Sequence, residues 1–143
     1  MKKVLLISAL TILTILSSCK KDEEDQRNKF VGTWAGSQTT VIPGLGVNDV
    51  SDYVQIMSLS SDNANKIIIT VGGEIQKAEV KGSLYNYDNY SYTTDDGSGN
   101  TMTMEMIGSG TLSGNKINET GTLKLYYMGQ EFPGTWTGKL TRQ

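Results

Sequence analysis

Thr101-Met102-Thr103-Met104-Glu105-Met106 sets three methionines on one side of the backbone and Thr, Thr and Glu on the other. That period of two is the signature of a half-buried β-strand. The same period returns downstream, where Leu123, Leu125 and Tyr127 alternate with Thr122, Lys124 and Tyr126. In the last segment Trp136, Gly138 and Leu140 alternate with Thr135, Thr137, Lys139 and Thr141. Upstream, Lys66 to Val71 reads as a short apolar strand, Tyr53 to Leu59 as another whose facing the pattern leaves open, and Phe30 to Val41 opens the domain. Turn-forming residues separate these runs: Pro43-Gly44 and Gly46, Ser61-Asp62-Asn63, Gly72-Gly73, Asp95-Asp96-Gly97, Ser113-Gly114-Asn115, and Gly129. No helical periodicity follows Leu16. The spacing predicts an all-β antiparallel meander of about eight strands, over 30–41, 51–60, 65–71, 74–82, 83–94, 100–110, 115–128 and 132–142. Such a meander closes into a barrel that side chains fill or that holds one small ligand; the alternative is a two-sheet β-sandwich. Closure removes exposed edges, which matters in a domain with no cysteine to staple it.

Outward from this domain, the N-terminal segment has a different character. Lys2 and Lys3 precede an apolar run from Val4 to Leu16 that ends at Leu16-Ser17-Ser18-Cys19, the sole cysteine. The run is about 13 residues, whereas a membrane-spanning helix needs roughly 20, so it reads as a secretory signal over 1–18. The segment after Cys19, Lys20-Lys21-Asp22-Glu23-Glu24-Asp25-Gln26-Arg27-Asn28-Lys29, has no apolar residue. Its composition predicts a solvated tether over 19–29. Residues 30–143 suffice for one compact domain and are too few for two. The net charge of −2 and pI near 5.1, with no basic cluster in the domain, exclude nucleic acid as the expected partner.

Leu16-Ser17-Ser18-Cys19 resembles the lipobox of bacterial lipoproteins, which implies a lipidated Cys19, palmitate among its acyl groups, and a membrane as the first partner. Two or more acyl chains anchor a protein stably where one does not. Lys21-Asp22-Glu23, with Glu24 and Asp25, resembles the acidic export signal of surface-exposed lipoproteins of Bacteroidetes-type bacteria. That implies lipid anchoring at the outer membrane, facing the cell surface, with a periplasm-facing orientation as the alternative. Gly32-Thr33-Trp34 resembles the Gly-x-Trp signature of lipocalin-like barrels, and Gly110-Thr111-Leu112-Ser113-Gly114-Asn115-Lys116-Ile117 resembles hairpins of small lipocalin-like lipoproteins of that group. The resemblance implies a structural trio of Gly32, Trp34 and Arg142, with the arginine stacked on the indole. Two departures from true lipocalins are the lack of a cysteine pair and of a helical pattern near the last strands.

The chain contains no histidine, so Ser-His-Asp and Cys-His nucleophile systems have no base. Ordinary zinc ligation lacks its ligands for the same reason. Glu74, Glu79, Glu105, Glu119 and Glu131 are available as acid or base, but on alternating strands each is expected to face solvent. Asp95-Asp96-Gly97-Ser98-Gly99-Asn100 is rich in oxygen ligands yet lacks the spacing of a calcium loop and reads as a hairpin turn. The expectation is therefore a non-enzymatic protein with no metal and no cofactor.

Two features point toward ligands. Met102, Met104 and Met106 present flexible, polarizable side chains on one face. Tyr85 and Tyr87, with Tyr90 and Tyr92, crowd into one strand or a tight hairpin around Asp88-Asn89 and combine apolar rings with polar tips. The expected function is binding of a small apolar or amphipathic ligand within the barrel, with Met102, Met104, Met106, Trp136, Tyr85 and Tyr87 as ligand-binding residues. One alternative is an interaction module with a filled core that presents tyrosines to a glycan or an envelope protein. Another is a protease-inhibitor-type lipoprotein acting through a protruding loop over 41–49.

Overall fold

The computed structural model describes residues 25–95 and 97–143. The expected signal segment 1–18, Cys19, residues 20–24 and Asp96 lie outside the described residues. Among those described, the elements in chain order are β1 (Gly32–Ile42), a 3-10 turn (Pro43–Leu45), β2 (Val47–Leu59), β3 (Lys66–Val71), β4 (Glu74–Lys81), β5 (Leu84–Tyr87), β6 (Tyr90–Asp95), β7 (Thr101–Ser113), β8 (Lys116–Tyr127) and β9 (Gln130–Arg142). No described helix is long and apolar enough to cross a membrane.

The sheet runs β5-β4-β3-β2-β1-β9-β8-β7-β6, and β5 also pairs with β7. That additional pairing closes β1 to β5 and β7 to β9 into an eight-stranded, lipocalin-like antiparallel barrel and leaves β6 as an extra strand on β7. The two-sheet alternative falls, because one sheet returns on itself. Tight turns make the meander possible. Gly72 and Gly73 both have positive φ, as do Met128 and Gly129, which is the requirement of type I′ hairpins. The segment 41–49, expected to protrude, is instead spent on β1, the 3-10 turn and β2, so no long loop stands out there.

The predicted strand 83–94 is broken into β5 and β6. Asn86 faces Ser109 and Tyr90 faces Met106, so β5–β6 carries one more residue than β7 across this interval. The excess is a bulge at Tyr87-Asp88-Asn89, a device that bends a strand and re-aims its side chains. Asp88 holds it in place: its N–H donates to the Lys77 carbonyl at 2.8 Å, and its carboxylate pairs with Lys66 Nζ at 2.5 Å.

The bulge divides the barrel into two halves. In the lower half all eight strands are paired. Higher up, β3 meets β2 only from Gln55 onward, while β2 continues along β1 to Val47. β6 pairs with β7 alone. The upper half is thus a curled sheet, β2-β1-β9-β8-β7-β6, with two edges unpaired among the described residues.

The lower half is filled. Phe30, Trp34, Met57, Ile67, Ile69, Ala78, Tyr85, Ile117 and Leu140 form one fully buried cluster. Phe30 plugs its end, edge-on to Tyr85 at 5.4 Å, and its carbonyl accepts from Trp34 Nε1 at 2.7 Å. The Arg142 guanidinium lies 4.5 Å over the Trp34 ring and donates to the carbonyls of Val31 and Lys29. Asp25 to Lys29, which composition assigns to the tether, are folded onto this end. Arg27 donates to the carbonyls of Ser60, Asn63 and Lys66 at 2.9–3.1 Å, and Gln26 accepts from the Gly82 N–H at 2.9 Å. A guanidinium that reaches three carbonyls of one turn gains charge-assisted hydrogen bonds that offset its ordering.

Candidate functional site

Between the two halves lies a polar belt, and its centre is Glu119. Along β8 the inward positions are Ile117, Glu119, Gly121, Leu123 and Leu125; Glu119 keeps their phase and is 4% exposed. The expectation that it faces solvent is therefore corrected. The other four glutamates, Glu74, Glu79, Glu105 and Glu131, do lie exposed. Inside the barrel, Glu119 Oε1 accepts from Gln55 Nε2 at 3.1 Å, from the Tyr87 hydroxyl at 2.6 Å and from the Tyr85 hydroxyl. Oε2 accepts from the Tyr53 hydroxyl. Four neutral donors therefore converge on one carboxyl group, three of them on Oε1 and one on Oε2.

Those donors are fixed in their neutral form. Burial, and after it the Glu119 charge, pushes the Tyr53, Tyr85 and Tyr87 hydroxyls well above the ordinary phenol range. No cation balances the carboxylate: the ion pairs among the described residues, Arg27–Asp25, Lys66–Asp88, Lys77–Asp62 and Lys124–Glu131, do not involve it. Burying a charge on hydrogen bonds alone is costly. A carboxylate kept there for packing would be matched or exceeded by an apolar residue of similar volume.

Above the belt is a cavity of about 210 Å³ that opens where β6 bends away from the start of β4. Glu119, Tyr53 and Gln55 form its floor, Tyr87, Trp136 and Met106 its inner wall, and Glu74 and Tyr90 its rim. The Tyr90 hydroxyl donates to Glu74 Oε2 at 3.2 Å across the opening. Tyr87 and Trp136 meet at 66° with their centroids 5.8 Å apart, making an aromatic corner. Small residues create the room for this corner. A side chain at Gly108 or Gly121 would stand 2.5 Å or closer to the Trp136 indole, and one at Gly110 would collide with the Tyr85 ring. The Trp136 N–H, wedged against Gly121, is buried with no partner among the described residues.

The residues singled out in the sequence are distributed unevenly around this cavity. Met106, Trp136 and Tyr87 line it. Met102 and Met104 pack beside Ile42, Leu123, Leu125 and Trp136 in the upper core instead. Tyr85 is fully buried beneath the belt and reaches the cavity only through Glu119. Gly32, Trp34 and Arg142 belong to the opposite end of the barrel. The pattern reading missed Glu119, Gln55 and Tyr53. Their signal was strand phase: Glu119 alternates with Ile117 and Leu123, and Gln55 with Met57.

The hairpin 95–100 shows turn chemistry, since the Asp95 carboxylate accepts from the N–H of Gly97 at 2.6 Å. Among the described residues no group of three or more acidic, thiol or imidazole side chains is placed to hold a metal ion.

No family model matches the chain and no curated protein matches it. Among solved structures it is similar to a protein of unknown function from the DUF3598 family of Nostoc punctiforme PCC 73102, with 15% identity and a TM-score of 0.46 over 81% of this chain and 48% of that one. The chain spans about half the length of that protein.

Proposed function

We propose that this protein binds a small amphipathic ligand in the upper half of its barrel, without transforming it, while anchored to the bacterial outer membrane through a lipidated Cys19. The observation that carries the binding reading is the cavity above Glu119, whose lining joins tyrosine and tryptophan rings to carboxylate and amide groups. Ligand sites characteristically combine apolar walls with a few convergent polar groups. The volume sets the ligand's size. About 210 Å³ is well below the roughly 300–1,000 Å³ of sites for drug-sized molecules. A compact metabolite suits it; a long acyl chain does not. The absence of histidine from the sequence supports binding over catalysis.

Native mass spectrometry of the protein recovered without a delipidating step tests the binding reading. The expected result is an added mass that leaves on denaturation. A clean ligand-free mass would favour the filled-core interaction module. The anchor is tested separately: Cys19→Ser should move the protein from the membrane fraction to the soluble one, and retention in the membrane would refute lipidation.

A further inference from the structure

We infer that the cavity takes a small organic cation, an amine or quaternary ammonium group carried on a compact body; this rests on the ligand-binding reading above and names the ligand's chemistry. Three features of the lining converge on it.

The first is charge. Glu119 and Glu74 are the ionisable carboxylates of the lining, which contains no lysine or arginine. Glu119 is held by four neutral donors and, among the described residues, by no cation, so the acidic groups of the lining have no basic side chain set against them. In a low-dielectric site, such a lining favours a cation over a neutral guest and repels an anion.

The second is aromaticity. Tyr53, Tyr87, Tyr90 and Trp136 surround the same space, and Tyr87 and Trp136 form a corner at 66°. Ring faces present negative charge density toward a cation within about 6 Å, and aromatic cages are the recurrent solution for ammonium recognition.

The third discriminates an organic cation from a metal ion. Hard divalent ions take six or more oxygen ligands from several carboxylates and carbonyls. The cavity offers two carboxylates, one of them already accepting from three hydroxyls and one amide. Among the described residues no set of metal-ligating side chains converges. A diffuse cation needs no inner-sphere ligand and tolerates a carboxylate that already accepts hydrogen bonds, because it responds to net charge and ring faces.

The test is titration calorimetry of the full chain with choline, with its uncharged carbon isostere 3,3-dimethylbutan-1-ol, and with 3,3-dimethylbutyrate. The inference expects saturable binding of choline at least about tenfold tighter than of the isostere, about 1.4 kcal/mol, and no binding of the anion. Glu119→Gln should abolish that discrimination. If Glu119→Gln does not fold, the rim variant Glu74→Gln should still weaken choline severalfold and leave the isostere unchanged. Equal or tighter binding of the isostere, or selective binding of the anion, overturns the cation assignment and leaves the ligand-binding reading standing. Failure of all three probes overturns the cation assignment. The ligand-binding reading then falls with it only if native mass spectrometry also returns a ligand-free protein.

Discussion

The two tryptophans of this barrel sit in opposite environments. Trp34 is fully buried in the lower half, its N–H bonded to the Phe30 carbonyl and its ring covered by Arg142. Trp136 is buried in the upper half against glycines, its N–H has no partner among the described residues, and it borders an open cavity. The halves around them follow the same division. Below, eight paired strands enclose Ile, Phe, Met and Tyr side chains. Above, a curled sheet with two edges unpaired among the described residues covers its concave face with half-buried methionines. One meander is thus closed at one end and open at the other, and a single bulged residue near Asp88 makes the transition.

The comparison breaks first at the sealed end. Trp34→Ala should cost about 3–5 kcal/mol, the range for deleting a large buried aromatic residue. Met104→Ala, at a half-buried position, should cost no more than about 2 kcal/mol. Urea denaturation of both variants checks the contrast, and equal losses would remove the distinction between the halves.

Alkaline pH should strain the belt that joins them. The Tyr53, Tyr85 and Tyr87 hydroxyls have folded pKa values raised by burial and by Glu119. In the unfolded chain these phenols titrate near 10. The unfolded state therefore binds fewer protons than the folded state above that pH. The stability from these groups is full below pH 10 and is lost as pH rises beyond it, at about 1.4 kcal/mol per pH unit for each phenol. Denaturation midpoints measured on either side of pH 10 should fall steeply, and the fall should lessen in Tyr85→Phe.

Arg142→Ala should have a smaller effect, roughly 0.5–1 kcal/mol for the lost stacking together with the hydrogen bonds to Val31 and Lys29. Thermal denaturation reads it, and the change should leave ligand binding in the upper half untouched. The smallest effect is expected at the turn between β8 and β9. Met128 has φ of 51°, and Met128→Asn supplies the Asn-Gly pair that type I′ turns favour. A gain of about 0.5 kcal/mol, measured in the same assay, is expected at such a surface position.

The strands were legible because their alternation is strong. The methionine run, the Leu123–Leu125–Tyr127 phase and the Trp136–Gly138–Leu140 phase all point inward in the barrel. Glu119 was not, because a polar residue on an alternating strand is ordinarily taken as outward. Only its phase with Ile117 and Leu123 betrayed a buried polar belt. The bulge was hidden for another reason: Tyr87 to Tyr90 reads either as continuous strand or as a hairpin around Asp88-Asn89, and the extra residue appears only against the register of β7. Arg27 read as part of a solvated tether, since its carbonyl partners Ser60, Asn63 and Lys66 lie far along the chain. The cavity's chemistry was partly visible in Met106, Trp136 and Tyr87, and its charge was not.

The measurement that tests the division most directly is a ¹H–¹⁵N spectrum of the two indole N–H groups of the protein during titration with choline. The account predicts that the Trp136 resonance moves to saturation while that of Trp34 stays fixed. Movement of the Trp34 resonance with Trp136 unchanged would contradict it and place the receptive end of the barrel on the opposite side.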